Sequence, residues 1–226
     1  MLSAMSTNGD TPHDWPAYLD EMEVGEERSI RGRIDELETQ LASLKQALDD
    51  TRAAKRILFV RDEELRQEVV RFLNDDLHVA AHANDAVNLF GLSDETGDWG
   101  IGLSKVMADG NVTKGHLAEM MLHRGQAGLS DDAPALLVVN TFQQGQTIAE
   151  RDEPVASDVL RRAAEDHVVV VRTIDLLRLG LRAANGFPAA EQLTNAMRSG
   201  GGWLEVDASL NASVHVADEA APATLG

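Results

Sequence analysis

The stretch "SDVLRRAAEDHVVVVRTIDLLRL", residues 157–179, carries three elements in 23 residues. Ser157 stands before an amphipathic run that predicts a short helix with Ser157 as its cap, and VVVVR (168–172) follows as a strand apolar on both faces. Thr173 then opens TIDLLRLGLRAANG, read as a helix capped by Thr173, with Asp175 in the first turn, where a negative charge suits the helix dipole, and an end near Gly186. A strand buried on both faces between two helices is the grammar of an α/β fold.

Working outward, LLVVN (136–140) is a second strand of the same buried kind, and the polar GLSDDAPA before it is a breaker. Upstream, LHVAA (77–81), AVNLFGL (86–92) and WGIGLSKVM (99–107) read as three strands of an antiparallel meander, the last two joined by SDETGD. A helix over 62–74 precedes them, with Leu65, Val69, Phe72 and Leu73 on one side. Another begins after Val112, with Thr113 as its cap and Leu117, Met120 and Met121 as its apolar stripe. Downstream come a helix over 188–199, a break at Gly200, Gly201 and Gly202, a last strand WLEV (203–206) and a polar tail. The fold expected is an α/β sandwich around a mixed sheet.

Four segments follow: a flexible acidic lead (1–28), a coiled-coil-type helix (29–54), the α/β domain (55–207) and a flexible tail (208–226). In the second segment Ile30, Ile34, Leu37, Leu41, Leu44 and Leu48 are spaced 4, 3, 4, 3 and 4, the a/d repeat of a left-handed coiled coil. It reads either as a dimer handle or as a helix docked on its own domain; a protein partner for it is unnamed by sequence.

Composition excludes several classes. With 38 acidic against 20 basic residues the formal charge is −18, so nucleic acid and anionic lipid have no overall attraction to the chain, and any DNA contact must be local and weak. Only four lysines are present, Lys45, Lys55, Lys105 and Lys114. This acidic, lysine-poor surface fits a halophilic, high-salt cytoplasm, though a GC-rich genome also trades lysine for arginine. Cysteine is absent, which removes disulfides, thiolate metal sites and cysteine nucleophiles. No apolar run approaches the length of a membrane span or a signal sequence, so a cytoplasmic location is expected.

The order helix, three-strand meander, helix, buried strand, helix, buried strand resembles the restriction-endonuclease-like fold of the PD-(D/E)xK nuclease superfamily. More narrowly, LLVVNTF, Arg151 and SDVLRRAAEDHVVVVRTIDLLRL resemble the C-terminal half of predicted nuclease domains often preceded by a short coiled-coil helix; the likeness spans about residues 33–181. The resemblance implies an aspartate from the second strand and a glutamate from the third as Mg²⁺ ligands, with a lysine two residues after the glutamate on the same strand face. Here Lys105 takes the lysine place, which puts Leu103 in the glutamate place and Asn88 in the aspartate place. A leucine cannot ligate, and an amide binds Mg²⁺ far more weakly than a carboxylate.

Migrated ligands would be Glu119, on the helix after the third strand, with Asp85 or Asp98 as the second carboxylate. Arg151 and Arg172 are the phosphate-contact candidates, with Arg161 and Arg162 near them, and salt bridging to acids is the competing fate. His116, Glu119 and His123 share a helix face but lack the usual zinc spacing, Asp109 to Asn111 is a turn signal, and Gly200 to Gly202 has no phosphate-loop lysine after it. Two readings stand: a catalytically degenerate nuclease-like domain that binds or scaffolds without a cofactor, as a homodimer or through a protein partner held by the helix at Ile30 to Leu48, or a divergent Mg²⁺-dependent DNA endonuclease centred on Lys105 and Glu119 with Asp85 or Asp98 as the other ligand.

Overall fold

The structure, a computed structural model, describes residues 25–145 and 147–216. The expected lead at 1–24 and the end of the tail at 217–226 lie outside them. By contact density the chain divides into two units, Met1–Thr51 and Arg52–Gly226.

Helix α1 begins at Gly25 and runs to Ala54, most of it in the first unit, so residues 25–28, expected to be part of the lead, are its first turn. Glu26 and Glu27 sit in that turn and Arg52 in the last, each complementing the helix dipole. None of its residues is buried, and Ile30, Ile34, Leu37, Leu41, Leu44 and Leu48 are each 48 to 68 % exposed.

The second unit is α/β. A 3₁₀ turn (Lys55–Leu58) leads to α2 (Asp62–Asp75), β1 (Ala81–Ala83), β2 (Leu89–Asp94), β3 (Gly97–Val106), α3 (Lys114–Gln126) and β4 (Ala135–Asn140). Then come α4 (Ile148–Arg151), α5 (Ser157–Glu165), β5 (Val168–Arg172), α6 (Thr173–Ala184), α7 (Ala189–Arg198), β6 (Gly202–Val206) and β7 (Ala212–His215). The seven strands form one mixed sheet in sequence order: β1, β2 and β3 antiparallel, β3 to β6 parallel, β7 antiparallel to β6.

Alternation along the parallel strands divides the core. Leu136, Val138, Val169 and Val171 face α2, α6 and α7, while Ala135, Leu137, Val139, Val168 and Val170 face α3 and α5. The steps from β3 to β4 and β4 to β5 cross on the α3/α5 face. The step from β5 to β6 continues in the same direction but crosses on the other face through α6 and α7, so its hand is opposite to theirs.

Several boundaries differ from the expectation. The segment 77–81 is mostly the exit of α2: the Leu77 and Val79 N–H groups donate to Phe72 O and Leu73 O, and Asn74 brackets Ala81 through both backbone groups. Strand β2 starts at Leu89, not at 86, because Leu89 N–H donates to Ala86 O and Asn88 has φ +65°. Thr113 precedes α3 as expected, but Ser157 and Thr173 are the first residues of α5 and α6, preceded by Ala156 and Arg172 as caps. The tail expected from 208 contains β7, which pairs Ala212 to His215 with Val206 to Trp203.

Two glycine sites show why side chains are missing there. The Phe90 ring lies over Gly102, where an added Cβ would come within 2.0 Å of it. Gly201, at φ +91°, passes so close to Ala163 O and the Val168 backbone that the 200–202 turn can enter β6 only without a Cβ. Among the described residues no helix is long and apolar enough to cross a membrane.

Candidate functional site

Ile101 and Leu103 of β3 point into the core shared with Leu117 and Met120 of α3. Two residues beyond Leu103, Lys105 lies on the same strand face, opposite Val139 of β4. Its ammonium reaches Glu119 Oε1 of α3 at 2.5 Å, and His123 Nε2 stands 3.8 Å from the same oxygen. Lys105 and Glu119, separated by 14 positions, are thus brought together as the migrated-ligand reading requires.

The remaining positions do not join them. Leu103 is fully buried core. Asn88 precedes β2, its backbone carbonyl accepts from Ser104 N–H at 2.9 Å, and its side-chain oxygen is buried without a partner. Asp98 is seven residues before Lys105 on one strand, roughly 23 Å along it, and lies 3.7 Å from His82 Nε2. Asp85 is exposed in the turn before β2. His116 turns back to the helix start, where its Nδ1 accepts from Thr113 N–H at 3.0 Å. Burial pushes its pKa below the ordinary imidazole value; Glu119 opposes that shift and Lys105 adds to it.

Mg²⁺ takes near-octahedral oxygen coordination and one or two carboxylates. Glu119 offers one, already neutralised by Lys105, with leucine and an amide at the positions where the resemblance asks for acids. Among the described residues no group of three or more His, Asp or Glu side chains converges as a metal site. This set does not fit the ion.

The C-terminal ends of the parallel strands, where α/β folds place ligands, are filled by the protein's own ions. Arg172, ending β5, is fully buried and donates to both Asp175 oxygens, at 2.6 and 2.9 Å, to Asp152 at 3.0 Å and to Glu153 O. Its guanidinium lies 4.5 Å from the Trp203 ring centroid. Asp175 also accepts from Trp203 Nε1 and from Val206 N–H, each at 3.1 Å. Arg178 of α6 clamps Asp152 at 2.8 and 2.9 Å, and that hydrogen bonding, with the nearby positive charges, lowers the Asp152 pKa against the cost of burial.

Arg172 is therefore not a phosphate contact: all of its charge is spent inside the domain. Arg151 is likewise committed, donating to Leu58 O, Asn140 Oδ1 and Gln143 O, and burial lowers its pKa. Arg162 pairs with Asp166 at 2.6 Å, and Arg161 is exposed. Asp175 does lie in the first turn of α6, but its carboxylate serves Arg172, Trp203 and β6 rather than the helix dipole alone. Sequence reasoning missed Asp152, Arg178, Glu205 and Trp203. The only local sign was the Arg172/Asp175 spacing across a strand-helix junction.

Fold and site together define a mixed α/β domain whose strand-end edge is closed by an internal ion-pair network. Compared with protein-family models, curated proteins and solved structures, the chain matches none.

Proposed function

We propose that the chain is a self-associating scaffold: a nuclease-shaped α/β domain without a working ligand set, joined to a coiled-coil helix that pairs with a second copy. One observation carries it. Helix α1 has 30 residues, buries none of them, and presents six Ile and Leu side chains at heptad spacing to solvent. A helix with an unsatisfied apolar seam is stable chiefly through the surface that covers it. The order α2, antiparallel β1 to β3, α3, parallel β4 supports the restriction-endonuclease-like architecture, and Asn88, Leu103 and the buried Arg172 support its loss of catalysis. On this reading no cofactor is needed and DNA is at most a weak partner of a chain at −18.

The test is mass. Light scattering with size exclusion should give twice the 24.5 kDa chain, and Leu37→Asp with Leu41→Asp should return it to one chain with the α/β domain still folded by circular dichroism. A monomeric parent chain at tens of micromolar would sink the proposal.

A second reading, a divergent Mg²⁺-dependent endonuclease, has the Lys105–Glu119 contact in its favour. Saturable Mg²⁺ or Mn²⁺ binding in calorimetry together with plasmid nicking, both abolished in Glu119→Gln, would establish it over the first.

A further inference from the structure

Resting on the self-association reading, we infer that the second copy pairs with α1 in parallel and in register, and that Glu26, Arg31, Arg33 and Glu38 select this arrangement. Ile34, Leu41 and Leu48 occupy a positions and Ile30, Leu37 and Leu44 occupy d, as the 4–3 spacing requires. The residues flanking the seam are then Arg31, Glu38 and Lys45 at e, and Glu26, Arg33, Gln40 and Ala47 at g.

In a parallel dimer each g side chain meets the e side chain five residues further along the other helix. Glu26 meets Arg31 of the second copy and Arg33 meets Glu38 of the second copy, each twice by symmetry. Gln40 meets Lys45 and Ala47 meets Arg52, neither of them a like-charge contact. No flanking pair along the seam brings like charges together.

Antiparallel pairing over the whole seam brings e to e and g to g. Arg31 then faces Lys45 twice, and Glu38 faces its own copy. No g pair compensates, because Arg33 faces Ala47 and Gln40 faces Gln40. Sliding the antiparallel pair by one heptad does match Arg31 with Glu38, but it leaves two of the six seam residues of each chain uncovered. Parallel pairing does set Glu27, at the a position before Ile34, against its own copy, where Arg31 on the same helix, 2.7 Å away, offsets the charge; among arrangements that cover all six seam residues, only the parallel one brings no like charges together at the flanking positions.

Arg31 and Arg33 can turn to these contacts. Among the described residues Arg31 and Arg33 bond along their own helix, to Glu27 at 2.7 Å and Glu36 at 2.5 Å, with side chains 54 and 63 % exposed. Such surface pairs are weak and exchange readily.

The chain has no cysteine, so a spin label on Ser29→Cys is placed uniquely in the full-length protein. Parallel pairing sets the two labels side by side, within roughly 25 Å with their linkers. Whole-seam antiparallel pairing offsets residue 29 from its copy by 20 positions, about 30 Å along the axis before any lateral separation. Pulsed electron-electron resonance reads the difference, and light scattering on the same sample reports the mass. A double-mass species with the short distance is the expected result. A double-mass species with the long distance overturns the orientation and leaves self-association standing, whereas a single-mass species overturns both. Arg33→Glu should weaken the dimer about tenfold at low salt, and adding Glu38→Arg should restore it. An antiparallel dimer would show no loss from Arg33→Glu, since Arg33 there faces alanine.

Discussion

Replacing Asp175 by asparagine tests whether the ion network at the strand ends holds the domain together. Each carboxylate oxygen accepts two hydrogen bonds: Oδ2 from Arg172 Nε and Trp203 Nε1, Oδ1 from Arg172 Nη2 and Val206 N–H. Whichever oxygen becomes an amide loses both and sets N–H against N–H. The variant also leaves a fully buried guanidinium with Asp152, which is 30 % exposed, and Glu205 at 3.9 Å as its remaining carboxylates. Breaking a buried pair from one side costs about 3–5 kcal/mol, a large part of the roughly 5–15 kcal/mol that holds a typical domain. With a urea slope of about 2 kcal/mol per molar, the midpoint should fall by about 2 M. Far-UV circular dichroism at fixed protein concentration is the assay, because Trp203 emission would change with its lost partner. A fall under about 0.5 M would refute the argument and mean that Asp152 and Glu205 suffice to hold Arg172.

Other outcomes follow from the same geometry. His116 should titrate below the ordinary imidazole value near 6.5 in an NMR titration, and Glu119→Gln should lower it further by removing the opposing charge. Because the folded value is depressed, this histidine's share of stability is present above about pH 6.5 and is lost as pH falls through the folded value. Asp152, held low first by its hydrogen bond from Arg178, contributes stability above the ordinary value of 3.8 that is lost on further acidification; Asp152→Asn should flatten that part of the acid limb. Gly32 lies in α1 with nothing within 4 Å of where its Cβ would stand, so Gly32→Ala should favour the helix by about 1 kcal/mol per chain and tighten the dimer, measured by sedimentation equilibrium.

The legible elements were those with strong local period. The buried runs at 136–140 and 168–172, the stripe of α2 and the heptads of α1 all lie where they were expected. The 77–92 region misled because apolar content there serves two purposes. Leu77 and Val79 pack in the core from the exit of α2, not from a strand, and hydrophobicity alone does not separate the two. Strand β7 was missed for the opposite reason: its four residues are exposed or half-buried, and among the described residues its ladder partner is β6.

For the candidate site, the resemblance singled out Lys105 and offered Glu119 as an expectation, and what the structure adds is that the two side chains meet at 2.5 Å. Alternation along one strand and the face of one helix are local geometry, carried by the order of residues itself. The destiny of the arginines was not. Whether Arg172 meets solvent, a phosphate or Asp175 depends on β6 and the loop at Asp152 folding over it, contacts between residues 20 to 33 positions apart. A charge's partner is set by three-dimensional proximity in a low-dielectric place, and one-dimensional order does not encode that proximity. Sequence by itself therefore determined the layers of this protein and the seam on its first helix, while tertiary structure alone decided that its strand-end edge is closed by its own ions.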